Sequence, residues 1–306
     1  MAEENLFVGA ERAIAREKTG TPVTVARTDQ ADLHTHSLYS DGVLPPAALV
    51  QAAAQAGLKA LALTDHDTVA GLPEFSAEAQ RLGILALSGV ELSTLYRDLE
   101  VHILGYGVNP EDPGLLAALE RFTRARGLRI EKMVQNLRAL KVNLTLEQVL
   151  AVAGKGPLGR PHLAEAMLKA GLVNSFEEAF DYWIGRRSPA YVEKYRLLPE
   201  EAIALIHHAG GVAVIAHPLI GRMSYEGIVS LLPLGVDGVE IQHPKLWPDR
   251  AERLRQLAEE RGLLMSGGSD FHGGNRSRMP LGQSTVPLGL AEAIQAKLSA
   301  RQSLGT

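Results

Sequence analysis

From Ala31 onward the chain returns again and again to a short apolar run followed by a helical stretch, and that rhythm leaves few architectures open. Strands are expected at 31–34, 60–64, 85–91, 101–106, 212–216, 238–241 and 263–267. Between the first two, PPAALVQAAAQAGLKA opens on Pro45 and Pro46, which suit a first helical turn, and ends on Gly57. LPEFSAEAQRLG repeats the pattern, opening on Pro73 and closing on Gly83. A β–α repeat of this kind predicts an α/β fold of parallel strands with crossover helices. Seven such strands fit a closed or nearly closed barrel most economically, although an open sheet keeps the same spacing.

The rhythm breaks between residues 107 and 198, where helical periodicity persists with no strand, so a helical insertion of roughly ninety residues is expected. The barrel then comprises 29–106 and 199–306, with 1–28 as an N-terminal extension, helical over 11–18. Within the insertion, Arg121, Arg124, Arg126, Arg129 and Arg138 read as solvated helix-face charges. Arg160 in GKGPLGRPH and Arg186–Arg187 in IGRRSPAY stand beside Gly/Pro breaks, where they are better placed to face a site.

Bulk properties narrow the chemistry. With 306 residues, 46% of them hydrophobic, the chain can bury a substantial core. It has no cysteine, which excludes disulfides, a thiolate nucleophile and sulfur-ligated metals and leaves imidazole and carboxylate as its strong ligands. The net charge of −4 offers no overall basic field, so a polyanionic partner must be gripped locally. No run of about 18 apolar residues suggests a membrane span, and the acidic start lacks the apolar core of an export signal. A cytoplasmic protein without an obligate protein partner is expected.

The ten histidines are placed informatively. In HTHSLYSDG, His34 and His36 alternate on a strand and therefore share a face. Asp41 precedes a glycine, where turn chemistry and metal ligation are both open. His66 stands between Asp65 and Asp67, either of which could fix its tautomer. Glu91 ends an apolar run, where a carboxylate is costly unless charge meets it. His102 sits among apolar residues, with a hydrogen-bonded core histidine as the competing reading. His217 ends VAVIAHP, and Asp270 and His272 repeat the alternate-residue spacing in SGGSDFHGG. In a barrel the strand ends converge on one face. Six histidines, two aspartates and one glutamate gathered there exceed one ion's needs and suit two or three divalent cations, Mn²⁺ first, with Zn²⁺ or Fe²⁺ as alternatives.

HTHSLYSDG, LTDHDT, GVE at 89–91, VHILGYG, AHP at 216–218 and SDFH at 269–272, taken in this order, resemble the PHP family of polymerase and histidinol-phosphatase domains. The resemblance implies a distorted seven-stranded (β/α)7 PHP barrel carrying the inserted helical subdomain, with metals at the carboxyl face. It implies that His34, His36, Glu91 and Asp270 hold one ion, that Asp41, His66 and His272 hold a second, and that Glu91, His102 and His217 hold a third. In the histidinol-phosphatase branch a histidine is more usual where this chain has Asp41. The Ser-Asp-Gly form, the insertion and GRPH look like the branch of nucleoside 3′,5′-bisphosphate phosphatases and 5′-to-3′ exoribonucleases.

That branch implies hydrolysis of a nucleoside 3′-phosphate, or trimming of a short RNA 5′ end, by attack of a metal-bound hydroxide. Asp67 and His217 are the candidates for proton transfer, with His217 already engaged as a ligand. For a second phosphate, Arg160 and His162 are expected to form the anion site, with Arg186, Lys194, Arg196 and His243 as further candidates. Histidinol phosphate or another small monoester is the alternative substrate, and a non-catalytic metal-bound interaction module the alternative class.

Overall fold

The computed structural model describes residues 29–153, 158–273 and 280–304; the extension at 1–28 lies outside the described residues. Eight strands form one sheet in the order β7-β6-β5-β4-β3-β2-β1-β8. They are β1 (Gln30–Asp32), β2 (Ala60–Leu63), β3 (Leu85–Tyr96), β4 (Leu99–Tyr106), β5 (Val212–Ile215), β6 (Gly238–Gln242), β7 (Leu264–Gly267) and β8 (Val286–Pro287). Beyond the ends of β1 and β7 the chain continues the pairing. Leu33 N donates to Gly267 O, His36 N donates to Phe271 O, and Thr35 bridges Phe271 in parallel. These bonds curl the sheet into a nearly closed barrel. Inside it the Tyr106 hydroxyl donates to Leu33 O and meets Ser266 Oγ, tying β4 to both sides of the seam.

Helices α1 (Pro46–Gln55) and α2 (Leu72–Leu82) form where the proline and glycine signals place them, with Gly57 and Gly83 in the left-handed region at their ends. β1, β2 and β3 are parallel, as are β5, β6 and β7. The expectation of seven parallel strands fails in two places. β8, a two-residue strand antiparallel to β1, was not anticipated, and β4 runs antiparallel to both β3 and β5. β3 and β4 are also longer than expected and meet in a two-residue hairpin, Arg97 and Asp98 both having positive φ as a type I′ turn requires. Nine residues between Glu91 and Val101 are too few for a parallel crossover with its helix, which is the physical reason for the hairpin. The reversal brings the start of β4, rather than its end, to the face where the other strands end.

Between β4 and β5 run α3 (Pro113–Ala139), α4 (Leu146–Ala153), α5 (Arg160–Lys169), the short α6 (Phe176–Glu178) continuing into a π-turn over Ala179–Ile184, and α7 (Pro199–His208). α3 serves two cores. Leu115, Leu119 and Phe122 from its first half join the barrel's outer core, while Ile130, Met133, Val134 and Leu137 pack with Val149, Leu163, Met167 and Ile184 in a separate cluster. α7 packs on β3, β4 and β5 as a barrel helix. α8 (Tyr225–Leu231), α9 (Pro248–Arg261) and α10 (Leu288–Leu304) complete the outer layer. No described helix is long and apolar enough to cross a membrane.

Candidate metal centre and its cleft

The strand ends on one barrel face deliver His34 and His36 after β1, His66 after β2, Glu91 from β3, His102 from β4, His217 after β5, and Asp270 and His272 after β7. The loop after His36 adds Asp41. Gly42 lets that loop fold back, its N–H donating to Ser37 O, and a Cβ there would lie 2.3 Å from His36 O. Turn chemistry and site placement thus coincide at Asp41, whose Oδ1 lies 3.1 Å from His272 Nε2.

Glu91 is the hub. Fully buried, its Oε1 lies 2.7 Å from His102 Nδ1 and 2.9 Å from His217 Nε2. Its Oε2 lies 3.1 Å from His66 Nδ1, 3.2 Å from His34 Nε2 and 3.3 Å from His36 Nε2. Asp270 Oδ1 is 3.2 Å from His36 Nε2 and 3.5 Å from His34 Nε2. All nine residues expected to hold ions therefore meet in one place. Their ligand atoms fall into three overlapping groups: His34, His36 and Glu91; His36, Asp41, His66 and His272; and His66, Glu91 and His102. Each carries at least three donors within 4.8 Å of one another, and the donors are nitrogen and oxygen only. His66 Nδ1 and His36 Nδ1 are buried with no hydrogen bond among the described residues. Buried lone pairs of this kind are rare in native interiors unless an ion meets them, so the residues present fit a cluster of divalent cations.

The electrostatics agree. Burial disfavours a charged His36, but Asp270 and Glu91 outweigh it and push the imidazole up to about 10. His102 is likewise buried, yet Glu91 and Glu100 push it up to about 9. At His66 burial wins and the imidazole falls to about 3. Burial alone would lift the carboxyl of Glu91, but the imidazoles of His66, His102 and His34 hold it well below the usual range. Without ions the carboxylates draw protons onto histidines; divalent cations would take the place of those protons.

Three buried aspartates hold the frame, each at a strand end and each gripping serine. Asp32 accepts from Ser269 N and Oγ, Asp65 from Ser37 N, Ser37 Oγ and Ser40 Oγ, and Asp67 from Ser93 N and Oγ. The expectation that Asp65 or Asp67 sets the His66 tautomer is thus corrected, because their oxygens are engaged in pinning neighbouring loops. Asp67 also pairs with Arg126 and lies 3.7 Å from Lys194. Burial would raise its carboxyl, but Lys194 and Arg126 hold it below the usual range. A carboxylate so paired has no proton to give near neutral pH, so the geometry does not suit Asp67 to the proton-donor role expected of it. Asp67, His217 and Asp270 all have positive φ, backbone strain gathered at the site.

A cavity of about 640 Å³ borders this cluster, lined by Asp41, His66 and His102, by Arg126, Arg129, Arg160, Lys194 and Arg196, and by Glu100, whose carboxylate lies 3.5 Å from His102 Nε2 and 3.2 Å from Arg196. Arg129 and Arg160 each place Cζ 5.4 Å from the Tyr191 ring centre. Their hydrogen bonds go to the carbonyls of Val192 and Ile184, not to carboxylates. Burial, and then the nearby Arg160, lower the guanidinium of Arg129. Arg126 and Arg129 correct the reading of them as solvated helix-face charges; their three-residue spacing puts both on one face of α3 and was the available signal. His162 lines the same cavity, but its Nδ1 accepts from Gly159 N at the start of α5, a capping role. Arg186 and His243 line a second cavity of about 610 Å³ on the other side of His66 and His102. There His243 Nε2 lies 3.3 Å from Asp270 Oδ2. Glu240, buried on β6 and hydrogen-bonded to His34 Nδ1, was not anticipated, although the signal that marked Glu91, a carboxylate in an apolar strand, marks it equally.

A family model for the PHP domain matches residues 32–263. Among curated proteins, a 5′-3′ exoribonuclease of Haemophilus influenzae is 35% identical over 80% of this chain and 90% of its own length. A 3′,5′-nucleoside bisphosphate phosphatase of Chromobacterium violaceum is 32% identical over 88% of this chain and 96% of its own. Among solved structures, one from Bifidobacterium adolescentis, assigned as a metal-dependent phosphoesterase, superposes with a TM-score of 0.76 at 31% identity, covering 87% of this chain and 96% of that one. These likenesses set aside the non-catalytic alternative: the chain belongs to the PHP domain family and is a metal-dependent phosphoesterase.

Proposed function

We propose that the protein removes the 3′-phosphate of nucleoside 3′,5′-bisphosphates and trims the 5′ ends of short RNA, with Mn²⁺ as its working ion. The observation that carries this reading is a single cavity whose walls bring Asp41, His66 and His102 of the histidine–carboxylate cluster together with five cationic side chains. A substrate with two anionic groups suits such a cavity, and the names of the two curated relatives support the same class.

His34, His36, Glu91 and Asp270 would hold one ion, Asp41, His66 and His272 a second, and Glu91, His102 and His217 a third, with Glu91 shared. Bound there, such ions supply a nucleophile from water near neutral pH and positive charge opposite the phosphoryl oxygens. The chain's own residues do the rest. Arg129 and Arg160, each with Cζ 5.4 Å from the Tyr191 ring centre, grip the second phosphate, because a planar guanidinium meets phosphate oxygens with two parallel hydrogen bonds. Lys194 adds its charge on the cavity wall: it donates to Ser93 Oγ and stands 3.9 Å from Glu100. The hydroxyls of Ser37 and Ser40 are spent on Asp65, which leaves neither as a nucleophile. The second cavity, with Arg186 and His243 on its wall, takes the remainder of the substrate.

Phosphate release from adenosine 3′,5′-bisphosphate, histidinol phosphate and a short 5′-phosphorylated RNA, measured side by side with Mn²⁺ present, tests this. We expect the first and third to be cleaved with kcat/KM at least about tenfold above the second. Preference for histidinol phosphate would overturn the assignment.

A further inference from the structure

Glu240 has no part in the ligand sets above, yet it is fully buried and both its oxygens are used. Oε1 lies 3.1 Å from His34 Nδ1, and Oε2 accepts the main-chain N–H of His217. The two nitrogens of an imidazole point in widely divergent directions. With Nε2 of His34 turned to Glu91 and Asp270, Glu240 therefore stands on the far side of the ring from the cluster. The residue at the other end of its grip, His217, has a φ of 29°, a conformation that a non-glycine residue keeps only when its surroundings impose it.

The geometry points to Glu240 as a positioning residue for the ion cluster: it holds the proton of His34 on Nδ1, freeing Nε2 for an ion, and anchors the His217 backbone from the same carboxylate. A carboxylate behind a ligating histidine raises the basicity of the ring and fixes its orientation. Only a carboxylate serves both partners here, because each demands an acceptor. In Glu240→Gln the amide offers one oxygen and one NH₂. If the oxygen stays with His217 N, the NH₂ faces His34 Nδ1 and drives the ring proton onto Nε2, where it blocks the ion. If the oxygen stays with His34, the strained turn at His217 loses its acceptor. Either way one ion position suffers more than the others.

The inference rests on the ligand assignment proposed above, and its test separates the two. Mn²⁺ is titrated calorimetrically into chelator-stripped wild-type, Glu240→Gln and His36→Ala protein, with elemental analysis of the loaded forms. Glu240→Gln should weaken one ion about 10- to 100-fold and leave the rest unchanged, with turnover recovering as Mn²⁺ is raised. A residue that merely fills space would lower Tm without changing the ion count. If Glu240→Gln binds every ion within about threefold of wild type while His36→Ala loses ions, the role of Glu240 is refuted and the ligand assignment stands. If His36→Ala also keeps its full complement, the ligand assignment itself fails. Should Glu240→Gln not fold, the long-range ¹H–¹⁵N spectrum of wild-type protein loaded with diamagnetic Zn²⁺ decides. A proton on His34 Nδ1 with a bare Nε2 supports the inference, and a proton on Nε2 overturns it.

Discussion

Five imidazoles within 3.3 Å of one buried carboxylate make an arrangement that neither a hydrophobic core nor a surface cluster would tolerate. Glu91 supplies the one carboxylate that all five imidazoles, and any cations among them, share, and removing its charge leaves their desolvation less well offset. Glu91→Gln is therefore expected to lower kcat at least about a thousandfold while far-UV circular dichroism stays native; activity within about threefold of wild type would refute the hub role. Arg160 lines the cavity beside this cluster. Arg160→Ala should raise KM for a nucleoside bisphosphate about tenfold or more and leave a simple phosphomonoester nearly unaffected, as steady-state kinetics on both would show. Arg129→Ala should match it, because both guanidiniums lie 5.4 Å from the centre of the same ring; equal losses on both substrates would place these arginines in the fold rather than in substrate recognition.

At the level of elements, the loops that carry the cluster are tied down by aspartates at strand ends, which accept hydrogen bonds from serines on adjacent segments. Asp32 reaches Ser269 beside Asp270, and Asp65 reaches Ser37 and Ser40 on either side of the turn to Asp41. Clamps of this kind hold first contacts to a fraction of an ångström, which ion geometry demands. The insertion is held differently, through α3, whose first half belongs to the barrel core and whose second half belongs to its own. Leu137 is fully buried in that second core. Leu137→Ala should cost about 2–5 kcal/mol locally. Hydrogen exchange should then show lost protection over the second half of α3, α4 and α5, with the barrel strands unchanged and KM for the bisphosphate raised. Uniform loss of protection in the barrel would mean that the two cores unfold as one.

For the molecule as a whole, protons and divalent cations are expected to compete for the same pocket. Asp270 and Glu91 raise His36 from its ordinary 6.5 to about 10 in the ion-free fold, against the pull of burial. A histidine raised on folding stabilises the ion-free protein fully below its unfolded pKa, and that stabilisation is lost as pH climbs through the folded value. Ion binding, which requires the bare imidazole, strengthens over the same interval. The Tm gap between Mn²⁺-loaded and chelator-stripped protein should therefore widen from about pH 6 to about pH 9, and Mn²⁺ binding near pH 7 should release protons, detectable by calorimetry in buffers of different ionisation heat. A gap that narrows with rising pH would exclude the competition. Much of this was legible in the chain as written, because local rules carry it: proline and glycine bracket α1 and α2, and alternation puts His34 and His36 on one face. The order of HTHSLYSDG, LTDHDT and SDFH likewise marks the family. What the chain alone left open is whatever depends on residues far apart in sequence. The reversal of β4, the closure of the barrel through Leu33 and Gly267, the approach of both Arg129 and Arg160 to Tyr191, and the meeting of Glu240 with His34 across 206 positions all arise from packing. Periodicity reports only which face of an element is apolar; which side chains then share a pocket is decided when the strands take their places in the sheet.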